Sequence, residues 1–268
     1  MTGFRNFFAA AAIAVAATVV AAPAQATPHS VIWGPGANLG VTETVKGHHS
    51  GFSVRNINPL KKALGGGFYD EVQYCSYNNP YGASANTPDG LEQSQTLTFF
   101  LFENGKDDIS LFLIMDKWND GSGSAANISV TSAGLAGTGV NVLVRDDPGD
   151  SSYAWNDATG AMNPDFRSWP CCTDGMVLGY LPDASESSWS INYSFNSYEG
   201  LNQARIWYLA DAYENNPNQG FQSFQIPMNQ LNTLVFRRIG ETTAAVTAPA
   251  GLIFPLAALG LFAVRRRR

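Results

Sequence analysis

The sequence predicts an all-β fold, a single β-sandwich of jelly-roll type, and three observations carry that expectation. Residues 188–195 alternate without interruption, with Trp189, Ile191, Tyr193 and Phe195 on one face and Ser188, Ser190, Asn192 and Ser194 on the other. A period of two is the repeat of a half-buried antiparallel strand. Two apolar runs, 96–102 and 109–115, flank a polar segment containing Asn104-Gly105, which reads as a hairpin turning on Asn-Gly. Outside the two ends no window shows a 3.6-residue period, and the many short runs are punctuated by Gly, Asn, Asp and Pro, as in sandwiches.

The remaining elements follow in order. Residues 68–77 read as a strand entered from the turn Gly65-Gly66-Gly67. Val140, Val142 and Val144 alternate as a further strand, and 176–181, 204–209 and 231–239 complete the set. Residues 121–126 and 134–139, rich in Gly, Ser and Ala, read as loops or turns. The predicted organisation is a signal segment over 1–26, one sandwich domain over 27–240, a small-residue linker over 241–247 and a C-terminal sorting or anchor segment over 248–268.

The N-terminal segment has the parts of an export signal. Arg5 provides the positive region, residues 7–22 are an uncharged apolar run, and Ala24-Gln25-Ala26 gives a small-x-small cleavage pattern that predicts a mature chain starting at Thr27. At the other end, residues 252–264 are apolar apart from Pro255 and Gly260, and Arg265, Arg266, Arg267 and Arg268 follow. At about 1.5 Å per residue such a helix is roughly 20 Å long, short of a hydrocarbon core of about 30 Å. The arginines would stay on the cytoplasmic side.

The C-terminal order of Val246, Thr247, Ala248, Pro249, a hydrophobic helix and Arg265–Arg268 resembles the PEP-CTERM sorting signals handled by exosortases, in a Ser/Thr-Ala-Pro variant. The usual core is Val-Pro-Glu-Pro, and the Glu is absent here. The resemblance covers about the last 23 residues and does not extend to the central domain. It implies a Gram-negative host, an exosortase-type enzyme as partner, transient passage through the inner membrane by the C-terminal helix, and delivery to the cell surface or the extracellular matrix.

Charge narrows the partners. The chain holds 16 Lys and Arg against 22 Asp and Glu. Arg5 and the four terminal arginines lie in the signals, which carry no acid, so the mature part has 11 basic against 22 acidic residues, a formal charge of −11. Such a domain is repelled by nucleic acid and anionic lipid and attracts cations. Three cysteines, Cys75, Cys171 and Cys172, imply one bridge in an oxidising compartment and one remaining thiol. The expected bridge runs from Cys75 to Cys171 or Cys172, with Cys75–Cys172 taken as the pairing. It would close a loop of nearly 100 residues.

The candidate chemistry lies in loops. Asp116 and Asp120 sit in one acidic segment, Asp146, Asp147 and Asp150 in another, and both follow expected strands. Carboxylates beside Gly in turns suit Ca²⁺, which takes six to eight oxygens. If both loops leave one edge of the sandwich, these five acids could surround one ion. The same residues are also the ordinary formers of tight turns. Trp118 and Trp155, with Trp169 and Tyr153, lie in polar surroundings where a ring can stack on a sugar of an extracellular polysaccharide. The segment from Trp169 to Gly175, which contains Cys171 and Cys172, reads as a rigid loop entering a strand. His29, His48 and His49 are the only histidines, and no zinc spacing, nucleophile elbow or phosphate loop occurs. The sequence therefore favours a binding or structural role at the cell surface, with a secreted glycan-active enzyme as the alternative, since paired carboxylates meet only in the fold.

Overall fold

The structure, a computed structural model, describes residues 29–34, 52–61, 91–103, 108–146, 151–184, 187–209 and 221–239. Among the described residues the regular structure is strand apart from two short 3-10 turns. The strands in chain order are β1 (His29–Gly34), β2 (Ser53–Ile57), β3 (Leu60–Lys61), β4 (Thr96–Glu103), β5 (Asp108–Met115), β6 (Ala125–Ala133) and β7 (Asn141–Arg145). They continue with β8 (Ala161–Met162), β9 (Asp165–Arg167), β10 (Asp174–Pro182), β11 (Trp189–Glu199), β12 (Gln203–Tyr208), β13 (Gln222–Pro227) and β14 (Thr233–Arg238).

Two sheets pack face to face, so the chain is an all-β sandwich as expected. The first sheet runs β2-β1-β14-β11-β6-β8, with β9 also on β6. The second runs β13-β12-β4-β5-β10-β7, with β3 beside β4. The β4–β5 hairpin forms with Phe100 opposite Phe112, and their rings stack at 4.5 Å. Pairing is antiparallel except where β12 and β3 run parallel to β4.

Burial explains the sequence pattern. In β4, Leu97, Phe99 and Leu101 face the core between the sheets, while Phe100 and Phe102 belong to a second apolar cluster with Phe112, Ile114 and Val177. A strand buried on both faces is largely apolar on both, which is why the two hairpin runs lack alternation, with only Thr96, Thr98 and Ser110 as buried polar residues among them. In β11, Trp189, Ile191 and Tyr193 enter the main core. Phe99 packs its ring edge-on to Tyr193, and tilted against Phe236 of β14. The opposite face departs from expectation in its first half: Ser190 and Asn192 are buried, and only from residue 196 is the strand exposed. The neighbouring strands explain the difference. Asn192 lies opposite Val235, which forms a small outer cluster with Ile32 and Phe52.

The strands over 140–144, 176–181, 204–209 and 231–239 are present as β7, β10, β12 and β14, shifted at their ends by one to two residues. β6 begins inside the stretch 121–126 read as a loop. Its core face, Ala126, Ile128 and Val130, alternates with Asn127, Ser129 and Thr131. The expected strand over 68–77, the Asn104-Gly105 turn, the signal segment, the linker and the sorting tail lie outside the described residues.

Candidate functional site

The most constructed region lies where the β5–β6 connection meets the segment between β9 and β10. Asp116 follows β5 with φ of 71° and is 1% exposed. Its Oδ1 accepts the backbone N–H of Gln95 at 2.8 Å and of Lys117 at 3.0 Å. Its Oδ2 accepts the hydroxyls of Ser124 and Ser168, each at 2.9 Å. One buried carboxylate thus joins the start of β4, the end of β5, the start of β6 and the end of β9. Asp and Asn tolerate the left-handed backbone better than other side chains, which suits this position.

A second buried carboxylate works on the same segment. Asp174, 3% exposed, accepts the hydroxyl of Tyr153 at 2.7 Å and, through its other oxygen, the backbone N–H of Arg167 at 2.5 Å. Ser124 and Ser168 close a reciprocal pair: the Ser168 N–H donates to the Ser124 carbonyl at 2.9 Å, and the Ser124 N–H to the Ser168 hydroxyl at 2.8 Å. Hydrogen bonds to a charged acceptor are about twice as strong as neutral ones. The segment 165–175 is therefore held from beneath at two points.

The tip of this segment corrects the expected disulfide. Cys171 bonds to Cys172, its neighbour in sequence, in place of the Cys75–Cys172 bridge, and Cys75 lies outside the described residues. Adjacency explains why a long-range pairing is not needed: both thiols already share one turn. Around the pair, Trp169 and Cys172 exchange backbone hydrogen bonds at 3.2 and 2.8 Å. The carbonyls of Cys171 and Pro170 accept the N–H groups of Asn119 and Gly121 at 3.2 and 3.3 Å.

Above this scaffold lies a groove of about 260 Å³ bounded by Ser124, Ala125, Arg167, Trp169, Pro170 and Glu199. Trp169 is 57% exposed. Gly200, next to Glu199, has φ of 72°, and a Cβ there would stand 2.6 Å from the Gly123 carbonyl, so only glycine fits. A second groove of about 350 Å³ lies by Ser152, Asn156, Met162 and Asn163.

The sequence-selected residues are placed as follows. Asp116 and Asp146 leave the same end of the second sheet, with β10 between them: Met115 pairs with Asp174, and the Asp146 N–H donates to the Gly175 carbonyl at 3.0 Å. Asp146 is 5% exposed, while Asp147 and Asp150 lie outside the described residues. Asp120 accepts both the N–H and the hydroxyl of Ser122, at 2.8 and 2.6 Å. Burial alone would raise its pKa, but these bonds and one from Ser94 outweigh it and hold the carboxyl at about 2. Among the described residues no group of three or more His, Cys, Asp or Glu could hold a metal ion. Trp118 is half-buried in the loop bonded to the Cys171 turn, and Trp155 is half-buried against the main core. Neither bounds the groove; Trp169 does. Sequence reasoning noted Trp169 but missed the roles of Ser124, Ser168, Arg167, Asp174 and Glu199. The one signal was the compact Trp-Pro-Cys-Cys run.

The fold and this corner define an all-β sandwich carrying a braced, aromatic-lipped surface groove. Comparison with protein-family models, with curated proteins and with solved structures finds no match.

Proposed function

We propose that the chain is an exported protein delivered to the cell surface or extracellular matrix, where its sandwich domain serves a binding role. The observation that carries the binding role is the groove at Trp169, held rigid by Asp116 and Asp174 while its tryptophan stays exposed. Rigid presentation of an aromatic ring lowers the ordering cost of binding. Delivery rests on the residues at the two ends: Arg5, the apolar stretch and Ala24-Gln25-Ala26 at the front, and Val246, Ala248, Pro249 and Arg265–Arg268 at the back. In this reading an exosortase-type enzyme processes the tail after a passage through the inner membrane.

Calcium belongs to the proposal through the loop of Asp146, Asp147 and Asp150. The oxygens of Asp116 and Asp120 already accept N–H and O–H donors, so these two act as braces. Melting the protein in millimolar Ca²⁺ and in chelator at matched ionic strength tests this: a higher melting temperature with Ca²⁺ supports it, and equal curves remove it. Delivery is tested by fractionating producing cells and probing each fraction with antibody. A shortened chain at the surface or in the medium is expected, and an uncleaved cytoplasmic chain overturns the reading. The alternative, a secreted glycan-active enzyme, requires release of reducing ends from a polysaccharide.

A further inference from the structure

We infer that the corner formed by β9, β6 and β11 is a subsite for one neutral pyranose ring of a polysaccharide, with Trp169 as its stacking surface; this deepens the binding role proposed above and rests on it. The register places the groove's polar groups. Ala125 of β6 pairs with Arg167 of β9 on one side and with Glu199 of β11 on the other. Directly paired residues point to the same face of a sheet. That face is the outer one, because the next residues along, Ala126 and Phe166, are buried in the core. At about 4.8 Å between strands, the Arg167 and Glu199 backbones stand roughly 10 Å apart. Only the methyl group of Ala125 lies between them, which makes a slot.

The chemistry of the slot matches a sugar. Among the described residues, neither the Arg167 nor the Glu199 side chain forms an ion pair or a hydrogen bond. A guanidinium offers only donors and a carboxylate only acceptors, whereas each sugar hydroxyl is both. Neighbouring hydroxyls of one ring can therefore be met from opposite walls. The two opposite charges cancel locally, so the slot gives no net attraction to a phosphate or a uronate. A pyranose face bears C–H groups, and the exposed ring of Trp169 offers the apolar partner.

The size and rigidity agree with this. A groove of about 260 Å³ is smaller than sites that enclose a drug-sized ligand, so it takes one ring while the chain continues over the surface. The Trp169 backbone needs no ordering on binding: Ser168 before it is bonded to Asp116, and Cys172 after it is bonded both to Cys171 and to the Trp169 backbone.

The test uses the purified full-length chain in a detergent without a sugar headgroup. Soluble hexamers of neutral gluco-, xylo- and manno-oligosaccharides, and one polyuronate hexamer, are titrated by calorimetry and tryptophan fluorescence. Binding of at least one neutral hexamer with a dissociation constant on the order of 1 mM is expected. Trp169→Ala should weaken it tenfold or more, and Arg167→Ala and Glu199→Gln each several-fold. Wild-type melting curves would show that these surface variants remain folded. No binding of any neutral hexamer, unchanged binding by Trp169→Ala, or stronger binding of the polyuronate each overturns the subsite. An exported chain that binds none of the hexamers overturns the subsite and leaves the delivery reading standing. A cytoplasmic chain that binds them does the reverse.

Discussion

Replacing Asp116 with Ala removes the acceptor on which several loops converge. The carboxylate takes two backbone N–H groups at 2.8 and 3.0 Å and two serine hydroxyls at 2.9 Å, at a site 1% exposed. A hydrogen bond to a charged group contributes about 1.5–3 kcal/mol, and a stranded buried donor costs about 1–3 kcal/mol. The four are not additive, because the Ser124 and Ser168 hydroxyls can turn toward other acceptors: the Gly200 carbonyl already lies 3.3 Å from Ser124 Oγ, and the Ser124 carbonyl 3.4 Å from Ser168 Oγ. The N–H groups of Gln95 and Lys117 cannot turn. Alanine also fits the left-handed backbone less well than Asp. We expect Asp116→Ala to lose on the order of 3–5 kcal/mol in urea unfolding with an unchanged slope. A cycle with Ser168→Ala should give a coupling of about 1–2 kcal/mol. The loss should be the same in Ca²⁺ and in chelator, since the oxygens bind donors. A loss below about 1 kcal/mol, or one that appears only with Ca²⁺, would refute the brace.

Four further outcomes are expected. Reducing Cys171–Cys172, which are one apart in sequence, should lower stability by only about 1 kcal/mol, against the roughly 4–5 kcal/mol of a bridge closing a long loop; melts with and without dithiothreitol decide this. The same substitution should act oppositely at two tyrosines in chemical denaturation. Tyr153→Phe loses about 1–2 kcal/mol with its bond to Asp174, whereas Tyr193→Phe, whose buried hydroxyl has no partner among the described residues, is neutral or stabilising. His29, 4% exposed, is held down to about 3 by burial and by the charge of Arg238; Asp183, 3.5 Å away, is itself bonded to Arg238 at 2.8 Å. The unfolded chain therefore binds the extra proton below about 6.5, so stability should fall as pH drops from 6.5 toward 3, by on the order of 2 kcal/mol at pH 5, and His29→Gln should flatten that slope. Gly200→Ala should destabilise by about 2 kcal/mol or more in the same assay, since a Cβ at φ of 72° meets the Gly123 carbonyl.

The hairpin of β4 and β5 was legible because apolar residues on both faces leave a continuous run, and β11 because its core face alternates without error. β6 was hidden for the opposite reason. It starts in Ala125-Ala126, and Asn127, Ser129 and Thr131 stand between its core positions, so its first half resembles a loop. β1, the buried run from His29, stood close to the cleavage pattern and was absorbed into the chain's beginning. At this corner the sequence marks the acidic loops and the Trp-Pro-Cys-Cys run but not their partners in space. Asp116 was read as a cation ligand because its neighbours in sequence are acids, whereas its partners in space are donors up to 52 residues away. Three cysteines imply one bridge, and the sequence does not show that the adjacent pair Cys171 and Cys172 forms it. Trp118 and Trp155 were chosen for polar neighbours in sequence, which carry no information on what packs behind a ring. Trp169 is exposed between two tethered neighbours, Ser168 bonded to Asp116 and Pro170 accepting the Gly121 N–H.

The pairing of β1 with β14 has a consequence for the order of events during synthesis. His29 lies opposite Arg238, and β14 separates β1 from β11 in the first sheet. Until residues 233–238 have emerged, β1 and β11 have no strand between them, and Phe236 is missing from its place against Phe99. The first sheet therefore cannot close on a chain that lacks β14.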